Sequence, residues 1–280
     1  MWDQAALERH LAALGLTAGD HVLMRASLRR LGAVAGNRAD MLIDATLRVI
    51  GPTGTLAVLA FHPVVPFPSL RRGLAAIAPD APPTSGGLAM ALAARPETRR
   101  STHPACAWAA IGAGAEALLA GHDADAPCFH PIAALLEMGG KLVNVGNVAD
   151  SPGFSTVHYV QDQLGLSRRN VLAGRIGLRT ASGIYHLQDF PGCSQGFGRL
   201  YGAYVEAGIL RAGPVGDAYA IAAAARDLMA VERPLLQADP TAPLCRDPGC
   251  MHCRGLVTYN KRDWPAFWAG WAWRKLTGKR

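Results

Sequence analysis

The stretch 21-HVLMRASLRRLG-32 decides the fold, because its character changes half-way along. Residues 21–26 form a short apolar run of the kind that makes a buried strand, and they feed the polar loop that begins at Ser27. Residues 37–50 then carry helical spacing, Gly51-Pro52-Thr53-Gly54 is a tight turn, and 55-TLAVLAF-61 is a second buried strand. Strand, loop, helix, turn and strand make a βαβ unit. Such a unit predicts neighbouring parallel strands whose chemistry sits in the loops at their carboxyl ends.

Outward from this unit, residues 3–15 read as an amphipathic helix with Ala6, Leu7, Leu11 and Leu14 on one side. Residues 62–85 break the rhythm with six prolines, which predicts a long irregular loop able to form a wall or lid over a site. Helices are expected over 86–94, 114–120, 131–138, 155–164, 201–207 and 217–236, and strands over 105–111 and 142–147. A hairpin is expected from 176–180 and 183–187 around Ala181-Ser182. No internal repeat is visible. The expected architecture is one α/β domain over residues 1–240, with a central mixed sheet flanked by helices, followed by a cysteine-containing, basic and aromatic extension over 241–280.

With 280 residues and a 50% hydrophobic fraction the chain can bury a substantial core without help from disulfides. No apolar run reaches the roughly 18 residues of a membrane span, and the acidic, helix-patterned start does not resemble a signal peptide. A soluble cytoplasmic protein is expected. Its net charge of +7 favours anionic partners, phosphorylated cofactors among them.

Five stretches stand in a telling order: Arg25-Ala26-Ser27-Leu28-Arg29-Arg30-Leu31-Gly32, Gly51-Pro52-Thr53-Gly54-Thr55-Leu56, Arg100-Ser101-Thr102-His103-Pro104, Gly139-Gly140-Lys141 with Val143 and Gly146, and Ser155-Thr156-Val157-His158. In order and spacing, over roughly residues 5–230, they resemble the aminoglycoside 3-N-acetyltransferase family. The resemblance implies acyl transfer from acetyl-coenzyme A to a primary amine. It places the cofactor at Ser27, Leu28 and Arg29 and at Thr102, His103 and Pro104. A loop with free N–H groups at a helix entrance suits a pyrophosphate, with Arg29, Arg30 or Arg72 to neutralise it.

Amine attack on a thioester needs a base, and His158 is the expected one, with Ser155 one turn earlier to steady developing charge. At the position three residues after this histidine the family commonly shows Glu, and this chain has Gln161, so Asp150 or the neighbouring Asp162 is expected to orient the imidazole. Relatives also commonly carry His-Ser where this chain has Arg25-Ala26. Aminoglycosides are polycations, yet loop 62–85 holds a single acid, Asp80, so an amine on a smaller, neutral or anionic metabolite is an equal candidate acceptor. A second class of reading is a catalytically degenerate fold that binds through its basic tail. The expected partners remain a coenzyme A thioester and a small amine rather than membrane or nucleic acid, with a homodimer left open.

Cys106 and Cys128 read as buried structural thiols. In the tail, Cys245, Cys250, His252 and Cys253 offer up to four soft ligands for a structural zinc, Pro248-Gly249 supplies the turn, and Cys193 is a substitute for His252. Reduced thiols without metal are the competing reading. Beyond them Trp264, Phe267, Trp268, Trp271 and Trp273 alternate with Lys261, Arg262, Arg274 and Lys275. That segment either docks on the domain as a helix or meets nucleic acid or a membrane surface.

Overall fold

The computed structural model describes residues 1–66, 74–151, 153–167, 176–189 and 191–278, so Arg72 and the middle of the proline-rich loop lie outside it. The chain runs α1 (Gln4–Ala13), β1 (His21–Ala26), α2 (Arg38–Ile50), β2 (Thr55–Leu59), β3 (Val65–Pro66), α3 (Gly87–Ala93), β4 (Arg99–Arg100), β5 (Trp108–Gly112) and α4 (Ala115–Leu119). It continues through α5 (Ile132–Glu137), β6 (Lys141–Val145), α6 (Thr156–Gln163), β7 (Ile176–Thr180), β8 (Gly183–His186), α7 (Tyr201–Glu206), β9 (Arg211–Val215), β10 (Ala218–Ala224), α8 (Ala225–Ala238) and α9 (Trp264–Thr277).

The main sheet has the order β4-β5-β2-β1-β6-β10-β9. Strand β1 runs parallel to both β2 and β6, with His21 opposite Thr55 and Val22 opposite Lys141, while the outer strands pair antiparallel. The mixed, helix-flanked sheet read from the sequence is therefore the fold. Successive side chains of a strand point to opposite faces. Leu23, Ala57, Trp108, Leu142 and Ile221 accordingly enter one core, together with Val157 of α6 and Leu228 of α8. Val22, Met24, Leu56, Val58 and Val143 enter the other, together with Leu7 of α1 and Ile43 of α2. Both faces are covered, which is why β1 and β2 read as continuous apolar runs and not as alternating ones.

The helix expected over 217–236 is a correction. Its first third is β10, which pairs with β6 and β9, and β9 itself was missed. The run 218-AYAIAAA-224 has high helix propensity, but Gly216 at φ 61° closes a tight turn just before it, against the Leu31 carbonyl. The strand then meets β6 with Ile221 and Ala223 buried at the core, so tertiary pairing overrides local preference. The hairpin expected around Ala181-Ser182 is present as β7–β8 and is extended by β3 into a small antiparallel sheet.

A second correction concerns Cys106 and Cys128, which are buried but joined as a disulfide. The loop before α5 folds back under β5, where Trp108 Nε1 donates to the Cys128 carbonyl at 3.1 Å. That approach brings the two Cα atoms to 5.1 Å, inside bridging distance, although the cysteines are 22 residues apart.

The tail forms one wide helical turn, Met251–Leu256, and then α9. Phe267 is the buried residue of α9 and lies against Gly255, and Trp264 Nε1 donates to the Val257 carbonyl at 3.0 Å. The helix is thus anchored on the tail's own turn. No described helix is long and apolar enough to cross a membrane.

Candidate active site

Because β1, β2 and β6 are parallel, their carboxyl ends share one edge of the sheet, and a cleft of about 450 Å³ opens there. Arg25 and Ala26 come from the end of β1, and Leu59, Phe61 and His62 from the end of β2. Asn147 follows β6, while Ser155 and His158 come from the start of α6. Loop 62–85 contributes Val64 and Ser85 to the wall. Its two ends are pinned together where Thr84 N donates to the Phe61 carbonyl at 2.9 Å and the Ser85 hydroxyl donates to the Leu59 carbonyl.

His158 is the most constrained group in the cleft. Its imidazole is buried, stacked on Phe129 with ring centroids 4.7 Å apart and edge-on to Phe197 at 4.6 Å. Nδ1 lies 3.2 Å from Gln161 Oε1, and because an amide oxygen only accepts, Nδ1 carries the proton and Nε2 keeps the lone pair. Desolvation, reinforced by the charges of His252 and Arg25 and opposed by the Gln161 hydrogen bond, lowers its pKa from 6.5 to about 3. The ring is neutral at every physiological pH. Ser155, also buried, precedes α6 and lines the same cleft.

Asp150 makes its contacts elsewhere. Its carboxylate pairs with Arg30 at 3.0 Å on the surface, where Arg30 also donates to the Gly146 carbonyl at 2.7 Å. The orienting position beside His158 is taken by Gln161, one helical turn along α6, and Asp162 instead accepts from the Ser167 hydroxyl at 3.2 Å. An exposed pair such as Arg30–Asp150 contributes at most about 1 kcal/mol. Asp150→Asn is therefore expected to leave kcat within about twofold of the parent in a steady-state assay, and a hundredfold loss would return Asp150 to the machinery.

The predicted cofactor positions divide. Ser27, Leu28 and Arg29 follow the cleft-lining Ala26 directly, at the β1 end of the cleft. Leu28 packs against Gly87 of α3, and Arg29 is exposed. The Thr102-His103-Pro104 group does not line the cleft among the described residues. His103 is turned inward: Nδ1 accepts from the backbone of Ala105 at 3.1 Å and of Cys106 at 2.8 Å, Nε2 faces the Tyr185 hydroxyl at 3.4 Å, and the ring lies 5.0 Å from that of His122. Burial lowers its pKa to about 4. Residues 101–106 thus shape the turn that delivers Ala105 and Cys106 to the cleft wall, and the imidazole holds that turn from behind.

Two cleft residues escaped the sequence reading. His62 is held by Arg100, whose Nη2 donates to Nε2 at 3.1 Å, and desolvation lowers its pKa below 6.5. Its place just past a strand end was the signal available, since such loops carry chemistry in parallel sheets. Arg25, noted only as a departure, puts its partly buried guanidinium into the cleft with Nη1 3.4 Å from the Gly153 carbonyl. Among the described lining residues there is no carboxylate.

The sequence signature described as aminoglycoside 3-N-acetyltransferase matches residues 23–237, which spans both the parallel strands and the helix that carries His158. The chain belongs to the aminoglycoside 3-N-acetyltransferase family. It is 28% identical over 262 residues to aminoglycoside N(3)-acetyltransferase III of Salmonella sp, covering 82% of this chain and 89% of that one. It is 33% identical over 184 residues to aminoglycoside N(3)-acetyltransferase VII of Streptomyces paromomycinus, covering 55% of this chain and 64% of that one. In three dimensions it superposes on the aminoglycoside acetyltransferase AAC(3)-IVa apoenzyme with a TM-score of 0.74 at 24% identity, covering 90% and 95% of the two chains, a likeness of fold. As a member of the aminoglycoside 3-N-acetyltransferase family, the chain is an N-acetyltransferase.

Proposed function

We propose that the cleft at the carboxyl edge of the sheet transfers the acetyl group of acetyl-coenzyme A to a primary amine, with His158 as the base and Ser155 as the hydroxyl that meets developing negative charge. The observation that carries this reading is a buried imidazole fixed by Gln161 with its Nε2 lone pair free to accept, beside a buried serine in the same 450 Å³ cleft.

The lowered pKa refines the base's role. An imidazole with a pKa near 3 cannot compete for the proton of a free ammonium, so the amine must enter neutral. Its nitrogen attacks the thioester carbonyl carbon, the carbonyl electron pair moves to oxygen, and Ser155 donates to that oxygen. The nitrogen of the tetrahedral adduct is cationic and strongly acidic. His158 Nε2 takes that proton, the C–S bond breaks, and the proton passes to the departing sulfur, giving an amide and free coenzyme A.

The donor is read as entering beside Ser27, Leu28 and Arg29, where Arg29 and Arg30 supply positive charge for its phosphates. Thr102, His103 and Pro104 act on the donor through the turn they build. The relatives are aminoglycoside acetyltransferases by name, which supports an aminoglycoside amine as acceptor. A second acceptor class has its own support: a cleft with Arg25 and no carboxylate among its described lining residues suits an amine on a neutral or anionic metabolite better than a polycation. Calorimetric titration with acetyl-coenzyme A, followed by coenzyme A release assayed against aminoglycosides and against neutral and acidic amines, tests all of this. Micromolar donor binding with amine-dependent release is the expected result, and absence of donor binding would overturn the assignment of the cleft.

A further inference from the structure

The densest set of reactive side chains outside the catalytic pair is a group of four thiols. Cys193 lies in the loop after β8, while Cys245, Cys250 and Cys253 lie in the tail, a distant part of the chain. All four sulfurs lie within 4.8 Å of one another, and none is in a disulfide. Cys245 and Cys253 are buried, and the other two are half-buried.

The surroundings are built around this meeting point. Asp247 Oδ1 accepts from Gly249 N at 2.7 Å, which makes the bend that returns the chain from Cys245 to Cys250. Cys245 N–H points at Cys253 Sγ at 3.4 Å, a contact suited to a sulfur that carries negative charge. Arg254 brings a cation to the cluster: Nη2 donates to the Cys245 carbonyl at 2.7 Å, and Nη1 is held by Asp263 at 2.8 Å.

We propose that Cys193, Cys245, Cys250 and Cys253 form a tetrathiolate zinc site that ties the tail to the wall of the active-site cleft. A zinc–sulfur bond of about 2.3 Å puts tetrahedral sulfurs about 3.8 Å apart, so the four sulfurs need close in by no more than about an ångström. A binuclear iron–sulfur cluster would hold two thiolate pairs apart across its irons, a wider spread than this group has. Of the two candidates for the fourth ligand, His252 and Cys193, the geometry favours Cys193. His252 is not among the clustered groups, and its imidazole lies instead against Gly192, where φ is 74° and a Cβ would collide with the ring. Adjacent residues on this turn point different ways, so Cys253 faces the cluster while His252 faces the loop. Cys193 supplies the fourth sulfur from across the fold.

The position gives the site a consequence. Pro191, Gly192 and Ser194, the neighbours of Cys193, all line the cleft. One ion would fix that wall from the tail side, much as the pinned ends of loop 62–85 fix the opposite one. This consequence rests on the acetyltransferase reading, whereas the metal site itself does not.

The experiment is elemental analysis of the full-length protein purified from zinc-replete cells, combined with titration of its thiols by an organomercurial. One zinc per chain is expected, released in step as the four cysteines react. His252→Ala is expected to keep the ion and Cys193→Ser to lose it. As a readout that needs no substitution, the parent protein is also reconstituted with cobalt(II), for which tetrahedral visible bands and thiolate charge-transfer absorption are expected. Zinc well below one per chain with freely reactive thiols and no cobalt spectrum would overturn the proposal. So would iron with labile sulfide, or loss of zinc from His252→Ala with retention in Cys193→Ser. Chelation of the bound ion is expected to raise the acceptor KM several-fold while His158 stays in place. Zinc-loaded protein that neither binds nor turns over acetyl-coenzyme A would sink the reading of the cleft and leave the metal site standing.

Discussion

Replacing His158 with alanine is expected to lower kcat by about 10²- to 10⁴-fold while acetyl-coenzyme A still binds. The loss arises because nothing else among the described cleft residues is placed beside Ser155 with a free acceptor nitrogen; His62 Nε2 is already occupied by Arg100. The imidazole sits between Phe129 and Phe197, so the variant leaves a small apolar gap, and circular dichroism with donor titration separates catalytic loss from unfolding. A fully active His158→Ala protein would remove the mechanism.

The pH dependence sharpens the same test. With the His158 pKa lowered to about 3, the ring is deprotonated throughout the working range, so kcat/KM should show no inflection near 6.5. The rise with pH should instead follow deprotonation of whichever amine is supplied, and two acceptors of different basicity should displace the profile by the difference in their pKa values. Gln161→Glu restores a carboxylate beside Nδ1, which favours the charged ring and raises the His158 pKa. An acidic limb should then appear in that variant and be missing from the parent. An inflection in the parent that stays fixed across acceptors would show that a protein group is titrating.

The second large effect concerns Glu232, which is fully buried on α8. Its Oε1 accepts from the Thr156 hydroxyl at 2.7 Å and the Tyr204 hydroxyl at 2.8 Å, and Oε2 meets no partner among the described residues. Burial outweighs both hydrogen bonds and raises its pKa from 4.5 to about 7. Between those values the folded chain binds more protons than the unfolded one, so this group's contribution to stability falls as pH rises through the window. Above pH 7 the ionised carboxylate costs about 3 kcal/mol relative to its unfolded state.

Glu232→Gln keeps an oxygen for both hydroxyls and removes the charge. Denaturant unfolding should find the variant about as stable as the parent near pH 5 and more stable by about 2 kcal/mol at pH 8, the gain being reduced because the amide nitrogen in the place of Oε2 leaves its two N–H groups without a partner. A variant destabilised equally at both pH values would show that the native carboxylate is already ionised. Thr156 opens α6, two residues before His158, so the same titration bears on the helix that carries His158.

The C-terminal helix shows how far the pattern of a tail can be read. Its interleaved aromatics and bases allowed docking or an outward-facing role, and α9 does both by halves. Phe267 packs on Gly255, whereas Trp273 is 64% exposed and Lys275 lies 5.8 Å over the Trp271 ring. One buried ring per helix was not legible from periodicity, because Trp268, Trp271 and Trp273 are as apolar as Phe267.

What the sequence determined by itself was local in origin. The apolar runs of β1, β2 and β6 named three strands, and the βαβ punctuation at Gly51-Pro52-Thr53-Gly54 set β1 beside β2. The ordered motifs, whose spacing is a property of the chain, put Ser155 and His158 just after a strand-end loop, whereas the pairing of β6 with β1 is a tertiary choice. Only the tertiary structure decided that 218-AYAIAAA-224 is a strand, since pairing with β6 outweighs alanine's preference for helix. It alone set Gln161 rather than Asp150 beside the imidazole, and turned His103 away from the cleft to hold its own loop. It joined Cys106 to Cys128, and it exchanged His252 for Cys193 in the sulfur cluster. Each of these is a contact between distant parts of the chain or a choice of side-chain direction. Composition and spacing name the groups available for such contacts, and the packing of the whole chain selects which of them meet.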